Sequence, residues 1–442
     1  MLVLWLLVSV AFIVLLTVRF KVHPFIALLL VAIGYGFLAG MPADEIIKSV
    51  NEGFGKTLGS IGLLIILGVI IGAFMENSGG AYAMAEWVLK KTGKNRVPLS
   101  MGIMGYFVSI PVFADSGFLL LQPLNKSLSK KAKISLAGSS IALGLGLTAA
   151  HTMVPPTPGP IAAAGLLGAD LGLVIAVGIP VSLIALCASL VFATKYAAKT
   201  WIDPNPDLTE AQIAARHKDA PGVGKAALPV FVPILLILTR SFLKAFPDLT
   251  GAWVDALMFV GEPFIALLIG VFLACLLPKK FKTEMLSMQG WVGKALSDSA
   301  SIILITGAGG IFGMVLRNSG IATVIGDSLQ TVNLGLFLPF LIAAALKSAQ
   351  GSSTVALITT ASIISPLMTT LGFDTAIQKA IVVIAIGAGS AVVSHANDSF
   401  FWVVTQMSGM DVKQGYRLHS LGTLVLGGSA FLTLLVVNMV VG

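Results

Sequence analysis

Charge is what this sequence has least of. Only 11% of its 442 residues are Asp, Glu, Lys or Arg, where soluble domains carry about 25%. A water-soluble fold of this length is thereby excluded. Cysteine is almost absent. Cys187 and Cys275 both lie inside apolar runs, which excludes a disulfide framework or thiolate metal site and leaves two small residues expected to be buried. No GxxxxGK[ST] loop occurs, and no polar stretch could hold a nucleotide-hydrolysing domain. Any transport must then draw on an ion gradient or be passive. No catalytic constellation and no cofactor motif is visible, so the chain does not read as an enzyme. The apolar run 2–18 has no basic segment before it and no small-residue cleavage site after it, so it is expected to stay as a span.

What is present is apolar residue, 56% of the chain, in long runs from end to end. Lipid must be the solvent for most of it, and the fold class is an all-α, multi-pass integral membrane protein. The net charge of +8 sits in short loops, as topology signals do, and does not point to nucleic acid. The loops Arg19–Lys21, Lys90–Arg96, Lys126–Lys133, Lys195–Lys225, Lys279–Lys294 and Lys413–Arg417 hold 21 of the 28 basic residues. Placing them in the cytoplasm puts both termini outside the inner membrane.

That assignment traps residues 97–124 between two cytoplasmic loops. Two full spans need about 40 residues, so the segment is expected to be a re-entrant helical hairpin with its tip at Ser109–Gly117. Irregular backbone at membrane depth is tolerated only within protein or against a watery cavity. Residues 134–168 cross once, but His151–Pro160 contains four prolines and reads as an unwound break. Residues 170–194 return, 195–225 divide the halves, and 226–246 and 256–277 are expected to be ordinary spans.

The second half resembles the first. Gly68-x-x-Ile71-Gly72 and Asn77-Ser78-Gly79 match Gly309-x-x-Phe312-Gly313 and Asn318-Ser319-Gly320. At the same offset Ala81 pairs with Ala322 and Glu86 with Asp327. Gly55-Lys56-Thr57-Leu58 also resembles Gly293-Lys294-Ala295-Leu296. A second hairpin is expected over 332–371, with its tip at Lys347–Thr354, and a second broken helix over 380–406, interrupted at Ser394–Ser399. Gly144-x-Gly146 precedes His151 as Gly387-x-Gly389 precedes His395. The expected organisation is one transporter domain, 1–442, with repeats at 41–200 and 279–442. The charge count gives the two hairpins opposite membrane sides, so the repeats are inverted, as in many secondary transporters.

Ionisable groups at a helix centre in the bilayer cost at least ~2.5–3.5 kcal/mol each. Asp115, His151, Lys347, His395 and Asp398 fall in the four interruptions. Asp115 and Asp398 are candidates for proton or cation coupling. His151 and His395 titrate near physiological pH and can donate to a carboxylate or hydroxyl; the alternative is a buried, hydrogen-bonded imidazole. Lys347 either neutralises an anionic substrate or pairs with a carboxylate. Gly351, Ser352, Ser353 and Thr354 offer N–H groups and hydroxyls at a helix start, which suits a carboxylate. Ser109, Ser116 and Gly117 at the first tip, Thr152 in the first broken helix and Asn397 in the second complete the candidate substrate contacts. His23, His217 and His419 read as structural residues at loops or interfaces. Glu76, Glu86 and Asp327 are expected in interfacial stretches.

Five segments now stand together: PVFADSGFLLLQPL, HTMVPPTPGPIAAA, GAGGIFGMVLRNSG, AQGSSTVALIT and GSAVVSHANDSFFW. In this order they resemble the gluconate permease family of the ion transporter superfamily. The resemblance implies import of gluconate or a related sugar acid, typically by proton symport, with one branch taking D-serine. It also implies a homodimer with a scaffold and a moving transport domain, working as an elevator. The residues alone leave open sodium as the coupling ion, another small organic acid as cargo, and an inorganic cation/proton antiporter.

Overall fold

The computed structural model describes residues 1–93, 96–205, 209, 212–213, 215, 217–321, 324 and 334–441. Among these the protein is helical throughout. The first half comprises α1 (Leu2–Val14), α2 (Pro24–Leu38), α3 (Ala43–Asn77), α4 (Gly80–Thr92), α5 (Val97–Ser109), α6 (Ala114–Lys131), α7 (Leu136–Met153), α8 (Pro158–Leu167) and α9 (Leu171–Lys195). The second comprises α10 (Val223–Lys244), α11 (Ala252–Val260), α12 (Pro263–Cys275), α13 (Trp291–Asn318), α14 (Phe337–Gln350), α15 (Ser353–Ile364), α16 (Ala376–Ala391), α17 (Ser399–Met407) and α18 (Leu421–Val441). Six of the described helical segments are long and apolar enough to cross a membrane, or seven if α11 and α12 count as one bent span.

The long helices α3 and α13 pack antiparallel at the centre. Asn318 donates to Ser49 at 2.9 Å near one end. Near the middle, Gly53 lies so close to Gly310 that an added Cβ would stand 2.6 Å from the Gly310 carbonyl oxygen. Both helices stop at Asn-Ser-Gly, with Gly79 at φ +79° and Gly320 at φ +75°. That left-handed conformation is open to glycine without a Cβ clash, and so ends the helix.

A second pairing repeats this relation. The same hexapeptide, Pro-Phe-Ile-Ala-Leu-Leu, opens α2 at Pro24 and α12 at Pro263. α2 lies parallel to α13: His23 meets Ser301 at 3.0 Å and Tyr35 meets Ser319 at 3.2 Å. α12 lies parallel to α3: Gly270 packs on Ile71, and Leu277 approaches Gly80. The likeness of the halves thus begins upstream of residues 41 and 279.

Several expectations need correction. The GKTL match is out of register. The Asn-Ser-Gly offset, carried along two uninterrupted helices, sets Leu58 against Ser299 and not Leu296, so the match is fortuitous. Ala322 and Asp327 lie outside the described residues, as do 332 and 333 at the start of the second hairpin. Residues 256–277 are not an ordinary span; α11 and α12 meet at 68°, where Glu262 precedes Pro263 at the first helical position. Cys187 is exposed on α9, since an outward apolar face in lipid needs no burial.

Three of the four breaks are also shorter than the sequence suggests. α6 continues past 124 to Lys131, held to α7 by a buried polar seam. Asn125 donates to Ser140 at 3.0 Å, and Ser129 meets Ser139 at 2.9 Å. In the first broken helix His151 and Thr152 complete α7, and Pro158, Gly159 and Pro160 form the first turn of α8. First-turn N–H groups have no intrahelical partner, so proline is tolerated there. Only Val154–Thr157 is irregular. Likewise only Gly351 and Ser352 separate α14 from α15, while Val392–Asp398 separate α16 from α17.

Glycines seat these breaks. A Cβ on Gly72 would collide with the Pro111 carbonyl, and one on Gly68 would approach that of Pro156 at 2.9 Å. In the body of the helices, Gly146 of α7 abuts the Gly102 carbonyl, and Gly389 of α16 abuts that of Phe340. Replacing Gly146 with Ala is expected to lower the unfolding temperature in detergent, by an amount corresponding to ~1–3 kcal/mol of overpacking. Gly59→Ala, whose Cβ would meet nothing within 4 Å, is expected to leave it unchanged or slightly raised.

Candidate functional site

Three of the breaks, together with Thr148 and His151 near the end of α7, line one polar cavity of about 330 Å³. Small-molecule sites span roughly 300–1,000 Å³. Three helices begin at its wall: α6 with Ala114 and Asp115, α15 with Ser353 and Thr354, and α17 with Ser399 and Phe400. Each sets the positive end of its dipole at the cavity wall, a favourable setting for an anion, although the Asp398 carboxylate already caps α17.

One ion pair ties two breaks together. Lys347, in the last turn of α14, is 2% exposed. Its ammonium contacts the Asp398 carboxylate and donates to the Gly351 carbonyl. Asp398 caps α17 by accepting from the Phe400 N–H at 3.0 Å, and it accepts from the Ser394 hydroxyl. Gly351, at φ +85°, lies against the Asn397 carbonyl, where a Cβ would not fit.

Of the residues singled out in the sequence, Asp115, His151, Lys347, Gly351, Ser352, Ser353, Thr354, Asn397 and Asp398 line the cavity. Ser109, Ser116, Gly117, Thr152 and His395 do not. Ser109 donates to the Val112 carbonyl at 3.2 Å and Thr152 to that of Thr148 at 2.9 Å. Gly117 packs under Leu147. His395 and Asn397 both reach the Ser348 carbonyl, at 2.7 and 2.8 Å, and brace the end of α14.

Sequence reading passed over Phe113, Thr148, Gln350 and Ser394 in the wall. Gln350 matters most, because both its side-chain amide atoms are buried with no partner. Its place three residues past Lys347 was the available signal. His151 Nδ1 is similarly unpaired. Buried polar atoms are almost always satisfied, so these atoms stand out as hydrogen-bonding groups at the cavity. His419, read from sequence as a loop or interface residue, is fully buried. Of the other two structural histidines, His23 caps α2 and His217 stacks on Tyr82 at 4.1 Å.

An apolar helical body enclosing a polar cavity at its helix breaks has the build of a membrane transporter. The YdaH transporter of Alcanivorax borkumensis shares the fold, with a TM-score of 0.66 at 13% identity over 93% of this chain and 97% of that one. The chain belongs to the GntP family permeases, whose family model matches residues 1–440. A gluconate permease of Pseudomonas aeruginosa is 35% identical over 444 residues, covering 98% of this chain and 97% of its own. The inner membrane permease YgbN of Escherichia coli is 35% identical over 439 residues, 96% of each. The protein is therefore a permease and not an enzyme.

Breaking a buried ion pair on one side leaves an uncompensated charge, at about 3–5 kcal/mol. Lys347→Met is expected to destabilise on that scale in detergent thermal unfolding. Adding Asp398→Asn should recover much of the loss, because asparagine still caps a helix. Equal melting of the single and double variants would rule out the pair as a structural tie.

Proposed function

We propose that this permease imports a small hydroxylated carboxylate, gluconate or a related sugar acid, together with a proton. The arrangement of charge in the cavity carries the reading. Lys347 is already neutralised by Asp398, which also caps α17, and the N-termini of α6 and α15 remain to attract an anion. The unpaired Gln350 amide and His151 Nδ1, with the hydroxyls of Thr148, Ser352, Ser353, Thr354 and Ser399, suit a polyol chain. The name of the Pseudomonas aeruginosa relative agrees with that cargo.

The same charge count explains proton coupling. With Lys347 and Asp398 cancelling, a cargo carboxylate would share a low-dielectric cavity with the Asp115 carboxylate. Like charges at such range cannot both persist. Asp115 therefore takes a proton as the anion enters, and cargo and proton cross together.

We read the halves as inverted repeats. The antiparallel α3 and α13, and the parallel pairs α2 with α13 and α12 with α3, support this, and their directions agree with the loop-charge topology that puts both termini outside. The breaks then form two re-entrant hairpins and two broken spans of an inner-membrane protein. A second cavity of about 570 Å³ lies where α8 and the start of α16 face α3, α10 and α12. That gap suits a transport body moving against a scaffold, as an elevator within a homodimer.

The test is uptake of labelled gluconate into proteoliposomes. Uptake should follow an imposed proton gradient and collapse with a protonophore. Asp115→Asn should keep cargo exchange but lose proton-driven accumulation. Gln350→Leu should raise the KM at least ~tenfold. Accumulation driven only by sodium would replace the proton with sodium. Ion fluxes with no acid taken up from a broad panel would sink the reading in favour of cation/proton antiport.

A further inference from the structure

Behind the cavity wall His419 sits fully buried in the short π-helical turn Tyr416–Ser420 that leads into α18. It faces Ser394, in the break between α16 and α17. Three residues of this turn and the start of α18 hold Ser394. Its N–H donates to the Thr423 hydroxyl at 3.0 Å, its carbonyl accepts from the Ser420 hydroxyl, and its own hydroxyl lies 3.2 Å from His419 Nε2. The preceding residue, Val393, has φ +50°. A β-branched residue keeps that conformation only where its surroundings over-determine it, and the three contacts to Ser394 do so.

The hydrogen bonds fix where each proton lies. Ser394 has one hydroxyl proton, and it goes to the Asp398 carboxylate, which while ionised can only accept. The Ser394 oxygen must then accept from an Nε2–H of His419. A neutral imidazole protonated on Nε2 has a bare Nδ1. His419 Nδ1 is buried without a partner, facing Gly144, whose added Cβ would stand 3.8 Å away.

We infer that His419 is a positioning residue for transport: a neutral, Nε2-protonated imidazole that fixes the Ser394 hydroxyl onto Asp398. The hydroxyl thereby stays on the carboxylate that pairs with Lys347, and the coupling proton is left to Asp115. The last step rests on the proton-symport reading above. The ionisable groups around His419 are Asp398 on α17 and Lys347 on α14, with Asp115 on α6 and His151 on α7 beyond them. On its own segment Arg417 turns away to the Tyr196 hydroxyl at 3.1 Å.

Two measurements test the inference. The first is ¹⁵N NMR of histidine-labelled protein in lipid nanodiscs, with His419→Gln assigning the signal. His419 should be the neutral Nε2–H tautomer and should not titrate across the range where a free histidine does. A protonated Nδ1, or ordinary titration, overturns the inference. This arm needs no transport, so it stands apart from any failure of the symport reading.

The second is the pH profile of acid uptake. His419→Leu removes the donor. It should raise the KM at least ~tenfold and shift the pH profile, because Asp398 then competes with Asp115 for the proton. His419→Gln keeps an amide N–H at the Nε2 position and should retain the native profile. A native profile in the Leu variant, or a Gln variant indistinguishable from Leu, overturns the inference.

Discussion

The contact of Lys347 with Asp398 joins residues 51 apart in sequence, one ending a helix of a hairpin and one starting the second half of a broken helix. Neither charge could stay at that depth alone, at a cost of several kcal/mol for an unpaired ion. Their pairing therefore sets the distance between α14 and α17. It also fixes the turn at Gly351, through the lysine's bond to that carbonyl, and the start of α17, through the aspartate's cap. Three of the features that shape the cavity follow from one ion pair, and the pair adds no net charge to the cavity.

A cavity built this way selects by dipoles instead of by a free cation. A bare lysine would hold an anion tightly and release it slowly. Helix N-termini supply partial charges that cost no reorganisation and bind more weakly. A permease must let go on the far side, so moderate attraction from several directions fits transport better than one strong contact. In the proposed reading Gln350 and the cavity hydroxyls supply shape and hydrogen-bond recognition, which discriminate more sharply than charge when a buried partner would otherwise go unpaired.

Much of this was legible in the sequence because membranes make polar residues conspicuous. Proline, glycine and ionisable groups inside apolar runs located the four breaks, and nine candidate residues line the cavity. What escaped was finer. Ser109 and Ser116 flank a tip whose inward face is Phe113, Ala114 and Asp115, because helix α6 restarts two residues before the serine. Thr148 is neutral and lies within a helix, where nothing in a one-dimensional pattern separates a wall residue from a core one, and Gln350 had only its place beside Lys347 to mark it. His419 follows Arg417 and so reads as a loop residue. Only the fold shows the chain turning inward immediately after Arg417. The hexapeptide opening α2 and α12 was present too, but apolar spans resemble one another in composition, and identity between two of them gains meaning once both pack on sister helices.

The pseudo-symmetry has a functional edge that the ion pair breaks. α3 and α13, α2 and α12, and the glycine seats at Gly146 and Gly389 are matched features of the two halves. Lys347 and Asp398 both come from the second half, and among the described residues no counterpart pair stands in the first, where Asp115 and His151 face the same cavity. A scaffold benefits from symmetry, because two equivalent halves give equivalent outward and inward states. Coupling requires the opposite, a single group free to change its charge. Under the proton-symport proposal, placing the fixed pair in the second half and Asp115 in the first separates the part that holds the cavity together from the part that would titrate. Neither task then disturbs the other as cargo comes and goes.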